Sequence, residues 1–224
     1  MKSIKKRSET HAFLGVIFSV VLLFLLFLMN FRILIFNGAY YRSEFRRIGV
    51  YDSFYKIGID SGAVDSELSK ILLFFQGKAN LENGLLSGEE ISHLNDVRIL
   101  INQGLCLFYL LFLLLLIMGL FIALEKNRSF IFYSPRSAVI IAFAFFGLIL
   151  AFSFFPHVFE RAFVIFHWVF FPQGNWAFPA GSRMLLLFPE QLFRDFLVHS
   201  SLLFLCEAIA LFLAFLLIKR ERFK

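Results

Sequence analysis

Residues 105–124 read LCLFYLLFLLLLIMGLFIAL, a run that contains no charged side chain. An α-helix of this length rises about 30 Å, which matches the thickness of the hydrocarbon core of a bilayer. A strand of a membrane barrel would alternate apolar and polar residues, and this run does not alternate. Because unpaired backbone groups are too costly in lipid, the run predicts a transmembrane helix.

Three further long apolar runs, with at most one charged residue each, lie elsewhere in the 224-residue chain, which is 59% hydrophobic with a mean hydropathy of +0.78. The first of them is too long for the apolar core of a signal peptide and no cleavage motif follows it, so we expect it to be retained. The three runs cover residues 12–36, 137–155 and 196–218.

Together the four runs predict an all-α polytopic membrane protein with four transmembrane helices. The length of the chain favours a single membrane domain over residues 1–224. Two polar segments between the runs are long enough to fold, and we predict that they form structured extracytoplasmic loops over residues 37–104 and 156–195.

Basic residues orient this predicted bundle, because Lys and Arg accumulate on the cytoplasmic side of membrane proteins. Half of the 22 basic residues lie in three short segments: Lys2, Lys5, Lys6 and Arg7; Lys126, Arg128 and Arg136; and Lys219, Arg220, Arg222 and Lys224. We therefore predict cytoplasmic N- and C-termini and a multi-pass location in the cytoplasmic (inner) cell membrane. The same placement favours contact with membrane lipids over binding of nucleic acid, despite the net charge of +6.

The first predicted outer loop opens with an aromatic and basic stretch. Tyr and Arg together are typical of membrane interfaces, and Arg46, Arg47 and Tyr51 are candidates for contact with lipid headgroups or substrate. A plain interfacial role for these side chains is the alternative. Residues 64–75 then place apolar side chains at helical spacing, so we expect a short amphipathic helix there.

A histidine lies on the next predicted helix of this loop. The helix starts with a capping box at residues 87–90 and is expected to run to Gly104, where the apolar run begins. His93 falls at the edge of its apolar face, and Asp96 and Glu89 lie about one turn away. A nearby carboxylate would orient the imidazole and raise its basicity. Spacing alone favours the alternative, a solvated or interfacial histidine.

The second predicted outer loop is rich in aromatic residues over positions 158–171, and His167 lies among them. Its short, proline-punctuated pattern with a turn at residues 172–175 predicts a re-entrant or interfacial segment and not a fifth span. Burial among aromatic rings should lower the pKa of the His167 imidazole, which would then be neutral, as a general base must be. A histidine hydrogen-bonded within an aromatic core is the alternative.

Short motifs in these loops carry a resemblance to a known family. They are RIGVY at residues 47–51, EEISHLNDV at 89–97, FHWVFF at 166–171, NW at 175–176 and FPE at 188–190. In these motifs and in its four-span layout, the chain resembles the integral membrane protein family first catalogued as DUF1461. That family includes a bacterial lipoprotein intramolecular transacylase.

The resemblance implies an acyltransferase whose substrate partner is a diacylglyceryl-modified lipoprotein. An ester-linked acyl chain would move from the diacylglyceryl group to the amine of the lipoprotein's N-terminal Cys. The resemblance makes His93 and His167 the catalytic residues but does not say which of them is the base. We assign His167 as the base and His93, with Asp96 behind it, as an acid or oxyanion donor. The supporting residues would be Asp96, Glu89, Asn175 and Trp176. No cofactor is expected.

Other functions stay open at the level of sequence. A non-enzymatic membrane protein would bind lipids or a partner through the aromatic second outer loop. A zinc site of His93, His167 and Asp96 is chemically possible, but no zinc-ligand spacing supports it and no metal is predicted. Glu207, inside the fourth run, has a structural or proton-linked role, and the sequence makes no prediction of oligomeric state.

The predicted orientation can be tested with reporter fusions. Green fluorescent protein fused after Lys224 should fluoresce, because that terminus is predicted to lie in the cytoplasm. Alkaline phosphatase inserted within residues 37–104 should be active, because its disulfides form only outside the cytoplasm. The opposite pattern of the two reporters would show that the orientation is wrong.

Overall fold

All regular secondary structure in the described part of the chain is helical. The computed structural model describes residues 2–82, 84–124 and 155–222, together with residues 140, 143, 144, 147 and 148. We number the helices α1 Lys2–Ile35, α2 Gly38–Ile48, α3 Val50–Tyr55, α4 Ser61–Phe75, α5 Gly88–Leu124, α6 Pro156–Phe170, α7 Arg183–Leu187 and α8 Glu190–Arg222.

Three of the described helical stretches are long and apolar enough to cross a membrane: Phe13–Ile35, Gly88–Phe121 and Arg183–Ala214. They contain most of the first, second and fourth predicted spans, so the prediction of an all-helical integral membrane protein is confirmed. Most of the third predicted span, residues 137–155, lies outside the described residues, and so does the basic connection before it.

Helix α5 is longer than a bilayer requires. Its 37 residues rise about 55 Å, whereas the hydrocarbon core is about 30 Å thick. Every charged residue of α5 precedes Leu105. The segment from Gly88 to Gly104 is therefore the polar part of the helix, and it continues without a break into the predicted second span, as the sequence indicated.

Contacts divide the chain into two compact units, of which the first comprises Met1–Arg32, Cys106–Ala151 and Val198–Lys224. Leu23, Phe204 and Ala208 form a small buried cluster in this unit. Nearby, the Asn30 side-chain amide donates a 3.0 Å hydrogen bond to the Glu207 carboxyl group. Asn30 is 2% exposed, so this bond gives the polar groups of two apolar helices a partner away from water.

The second unit comprises Ile33–Leu105 and Phe152–Leu197 and has the larger core. The predicted amphipathic helix is present as α4. Its five apolar positions at helical spacing are all buried, namely Val64, Leu68, Ile71, Leu72 and Phe75. Phe45 of α2, Phe54 of α3 and Leu187 of α7 are completely buried in the same core. Hydrophobic periodicity therefore predicted correctly which face of α4 packs inward.

Polar caps and one glycine fix the short helices of this unit. The Asn37 side chain accepts hydrogen bonds from two backbone N–H groups of α2, and Asp60 accepts one from α4. Gly49 joins α2 to α3 with a φ of 78°, a conformation that side chains with a Cβ rarely adopt. These local devices set where each helix starts and ends.

The capping box at the start of α5 is confirmed and has an additional contact. The Ser87 backbone N–H donates to the Glu90 carboxylate at 2.7 Å, and the Glu90 N–H donates to the Ser87 hydroxyl at 3.3 Å. The second carboxylate oxygen of Glu90 accepts from the backbone N–H of Met184 at 2.7 Å. Glu90, which is 4% exposed, therefore ties the start of α5 to α7.

Removal of this carboxylate should destabilise the fold. In Glu90→Ala the N–H of Met184 loses a buried acceptor, and we expect the free energy of unfolding to fall by about 2 kcal/mol. The exposed neighbour gives the matched control, since Glu89→Ala removes one charge at the same helix terminus without breaking a buried bond. Denaturant unfolding in detergent measures both. Equal stability of the two variants would contradict this role for Glu90.

Candidate active site

The two predicted catalytic histidines lie together. His93 comes from the polar part of α5 and His167 from the last turn of α6, and their ring centroids are 6.0 Å apart with the planes inclined by 27°. The two residues are 7% and 9% exposed. The expectation of a solvated or interfacial His93 is therefore wrong, because the second loop covers the face of α5 that carries this ring.

Aromatic side chains enclose both rings. Phe171 packs edge-on against His93 at 4.8 Å between centroids and lies 5.6 Å from His167. Phe178 covers another side of His93 at 5.7 Å. The rings of Phe163 and Trp176 lie 4.3 and 5.0 Å from His167. Water has little access to either imidazole in such a setting.

This burial changes the protonation of both histidines. The pKa of His93 is lowered from 6.5 to about 4, first by burial and then by the charge that His167 would carry. The Asp96 carboxylate and the Asn175 side chain act in the opposite direction but do not compensate. The pKa of His167 is also lowered by burial, as the sequence predicted. Both rings are therefore neutral at pH 7.

The tautomer of His167 is set by the backbone. Its Nδ1 lies 2.7 Å from the carbonyl oxygen of Phe163, one turn earlier in α6. Because a carbonyl oxygen only accepts, Nδ1 must carry the proton and donate it to this bond. The Nε2 atom of the neutral ring then has a free lone pair, which is the state that a general base requires.

Asp96 acts on the turn that follows α6. One of its carboxylate oxygens accepts from the Gln173 amide at 2.8 Å and from the Asn175 amide at 2.6 Å. Gly174, between them, has a φ of 80° and donates its N–H to the carbonyl of Phe171, so the predicted turn at residues 172–175 is present. Asp96 therefore acts on His93 in two ways: its charge raises the pKa of the imidazole, and its hydrogen bond fixes the position of Asn175.

Three buried polar atoms of this site have no hydrogen-bond partner among the described residues: Nδ1 of His93, Oδ1 of Asn175 and Nε1 of Trp176. The Asn175 side chain lies near enough to the His93 ring to raise its pKa as a hydrogen-bonding neighbour, but the geometry falls short of a hydrogen bond, and Nδ1 of His93 and Oδ1 of Asn175 keep no partner. An unsatisfied buried donor or acceptor costs about 1–3 kcal/mol. Three such atoms in one site are expected where a bound ligand supplies the missing hydrogen bonds.

The other predicted site residues lie apart from the histidine pair. Glu89 is exposed, and it is not among the groups that shift the pKa of His93. Arg47 pairs with the carboxylates of Glu44 and Asp195, which joins α2 to α8. The Tyr51 hydroxyl donates to Asp65 at 2.6 Å. Arg46 is exposed. Contact of these side chains with lipid or substrate stays a prediction.

Some residues of the site were not predicted from sequence. Phe163 lies four residues before His167 on the same helix, so helical spacing was a sufficient signal for it. Phe178 and Gln173 reach the site across a turn, and no local pattern indicates that. Within the described ranges, no three His, Cys, Asp or Glu side chains come close enough together to hold a metal ion.

An integral membrane protein that buries two neutral imidazoles among unsatisfied donors and acceptors has the groups that general acid–base catalysis requires. Comparison with protein families identifies the class of enzyme. The chain belongs to the lipoprotein intramolecular transacylase (Lit) family, whose sequence model matches residues 16–193. Among curated proteins, none matches the chain at a significant level.

Solved structures of one such protein share the fold. The membrane integral lipoprotein intramolecular transacylase Lit from Bacillus cereus superposes with a TM-score of 0.73 at 18% identity, over 96% of this chain and 99% of that chain. A variant of it with a histidine-to-alanine mutation gives 0.74 at 17% identity, over 99% and 100%. The likeness therefore covers essentially the whole length of both chains.

The protonation of His93 can be measured directly. Its ring should stay neutral on acidification until well below pH 6, because burial favours the uncharged form. Its contribution to folding stability should then be lost as the pH falls from about 6.5, the value of an unfolded chain, towards 4. NMR of the protein with ¹³C-labelled histidine, assigned by loss of a signal in His93→Gln, follows this titration.

A matched variant opens the aromatic cluster without changing a charge. In Phe178→Ala water should reach the ring, and the titration of His93 should move upward towards 6.5. A wild-type titration already centred near 6.5 would contradict the proposed burial of this ring.

Proposed function

We propose that this chain moves an ester-linked acyl chain from the diacylglyceryl group of a lipoprotein to the α-amine of the lipoprotein's N-terminal Cys. The observation that carries the proposal is the pair of buried, neutral imidazoles in a member of the transacylase family. Aminolysis of an ester requires a neutral base for the attacking amine and a polar group for the developing oxyanion. The site offers both within a few ångströms.

His167 is the base in this mechanism. Its Nδ1–H is engaged by the carbonyl of Phe163, so its Nε2 is free to accept a proton from the amine as the nitrogen attacks the ester carbonyl carbon. A new N–C bond forms, and the carbonyl oxygen becomes an anion. The lowered pKa keeps the ring unprotonated before the reaction, which makes it available at neutral pH.

Collapse of this intermediate completes the transfer. The bond between the acyl carbon and the glyceryl oxygen breaks, and the leaving oxygen takes up the proton that His167 received. The products are an amide on the Cys and a free hydroxyl on the glyceryl group, so no proton is gained or lost overall. A charged His167 disfavours protonation of His93, which therefore stays neutral and stabilises the oxyanion or relays the proton.

Donor and acceptor belong to one substrate molecule, and this removes the need for a covalent acyl-enzyme. Their effective concentration is already high, so positioning and proton transfer are what the protein must add. The reaction as proposed uses only side chains of the protein and needs no cofactor.

The membrane arrangement that we propose follows the sequence. Four spans cross the cytoplasmic membrane, both termini are cytoplasmic, and the loops with the two histidines lie on the outer side as parts of a single membrane domain. The substrate would be presented there among membrane lipids. Arg46 remains available for contact with a headgroup, because its side chain is exposed.

A second function is favoured by one observation. The outward side of α6 exposes several large apolar residues, among them Ile165, Trp168 and Val169 at 62%, 63% and 65%. Such a surface suits a non-enzymatic protein that binds lipid or a membrane partner. In that case Trp168→Ala would impair function, and substitution of either histidine would have little effect.

Substitution of the histidines separates the two functions. We expect His167→Asn and His93→Asn each to reduce the rate of acyl transfer by about 10²–10⁴-fold, because each removes an imidazole from the reacting centre. The assay uses purified protein in detergent with a synthetic diacylglyceryl-Cys peptide, and mass spectrometry quantifies the N-acylated product.

The matched control lies on the same helix. His157 is at the other end of α6 with a side chain that is 95% exposed, so His157→Asn should keep the wild-type rate. Retained activity in both His167→Asn and His93→Asn would rule out the proposed roles.

A further inference from the structure

Two of the unsatisfied atoms have opposite hydrogen-bonding character and belong to adjacent residues. Trp176 Nε1–H can only donate, and Asn175 Oδ1 can only accept. The two groups that react in aminolysis are complementary to them, since an ester carbonyl only accepts and an amine N–H donates. We infer that Trp176 binds the carbonyl oxygen of the ester and that Asn175 binds the attacking amine. This inference rests on the proposed acyl transfer.

A hydrogen bond to Asp96 fixes the orientation of the Asn175 side chain. Its amide nitrogen donates at 2.6 Å to the Asp96 carboxylate, which cannot serve as a donor to the amide oxygen while ionised. The amide group therefore has one arrangement, with Oδ1 directed away from Asp96 and without a partner among the described residues. Gln173 donates to the same carboxylate oxygen at 2.8 Å and holds Asp96 in place.

Trp176 is next to the base. Its ring centroid lies 5.0 Å from that of His167, with an angle of 41° between the planes. Trp168 packs edge-on against Trp176 at 6.0 Å, so the indole has support on another side. An ester carbonyl bound at Nε1 would therefore lie close to the histidine that deprotonates the nucleophile, as the reaction requires.

The two contacts act at different stages of the reaction. The carbonyl oxygen gains negative charge as the N–C bond forms, so its hydrogen bond from Trp176 strengthens in the transition state. The amine passes one proton to Nε2 of His167 and keeps another N–H for Asn175. The acyl–oxygen bond then breaks, and the proton moves from His167 to the glyceryl oxygen. Trp176 and Asn175 are thus catalytic residues, and Asp96 is a positioning residue.

The Trp176 contact is tested by removal of one hydrogen-bond donor at nearly constant shape. Replacement of Trp176 by 3-benzothienylalanine substitutes sulfur for the N–H, and Trp176→Phe removes the donor with the standard amino acids. We expect kcat for the diacylglyceryl-Cys peptide to fall about 100-fold in both, with little change in KM. Thermal unfolding of the benzothienyl protein should occur at or above the wild-type temperature, because the replacement removes a buried donor that has no partner. Tyr55→Phe, which removes a hydroxyl from a residue that is 79% exposed, should retain activity.

The Asn175 contact has a different signature. Asn175→Ala removes the acceptor for the amine, so N-acylation should slow while release of free fatty acid by water from the same ester is spared. His157→Ala, a change at a side chain that is 95% exposed at the other end of α6, should not change this partition. A merely structural role of Asn175 would slow both reactions equally, and that result would overturn its assignment.

The results of these assays distinguish a failure of this inference from a failure of the proposed function. An active wild type with undiminished kcat in both Trp176 proteins would overturn the Trp176 assignment and leave the transacylase function intact. A folded wild type that forms no N-acylated peptide would overturn the proposed function, and the inference with it.

Discussion

The aromatic side chains around His93 and His167 remove water from both rings, and this loss of hydration keeps the rings uncharged. A charged imidazole could not accept a proton from an amine. It would also repel a second cation 6.0 Å away, which is why the charge of one ring lowers the pKa of the other. Phe171 contacts both rings, so it links the aromatic side chains around His93 to those around His167.

Around this dry site, the second unit provides a partner for most of its buried polar groups. Glu90 bonds two backbone N–H groups, and Asp96 bonds two side-chain amides. Within the described ranges, the buried side-chain atoms without a hydrogen-bond partner belong to His93, Asn175 and Trp176, at the histidine pair. Buried groups without a hydrogen-bond partner lower the stability of the free protein, and a bound ligand restores that stability when it supplies the missing bonds.

Local patterns in the sequence were sufficient for much of this structure. The charge-free run at residues 105–124, the capping box at residues 87–90 and the apolar face of α4 each depend on neighbours within one or two helical turns, and all three were predicted correctly. The burial of His93 was not predictable in this way. Its covering residues, Phe171 and Phe178, are distant in sequence, and only the tertiary fold brings them to α5.

The same limit applies to charged residues. Arg47 reads as an interfacial cation in the sequence, but its guanidinium is held by Glu44 one turn away and by Asp195 of a distant helix. Hydrophobic periodicity also gives no indication of the hydrogen bond between the Met184 N–H and the Glu90 carboxylate. The family motifs identified the two histidines and their polar neighbours Asp96, Asn175 and Trp176, whereas the tautomer of His167 and the burial of His93 came from the structure.

Mass spectrometry of a lipoprotein's N-terminal peptide tests acyl transfer most directly. The lipoprotein would be isolated from a host without N-acylation activity that expresses this chain or an empty vector. We predict a lyso-form peptide, N-acylated on Cys and with one acyl chain left on the glyceryl group, only when the chain is expressed. A diacylglyceryl peptide with a free amine, in cells that contain the folded protein, would contradict it.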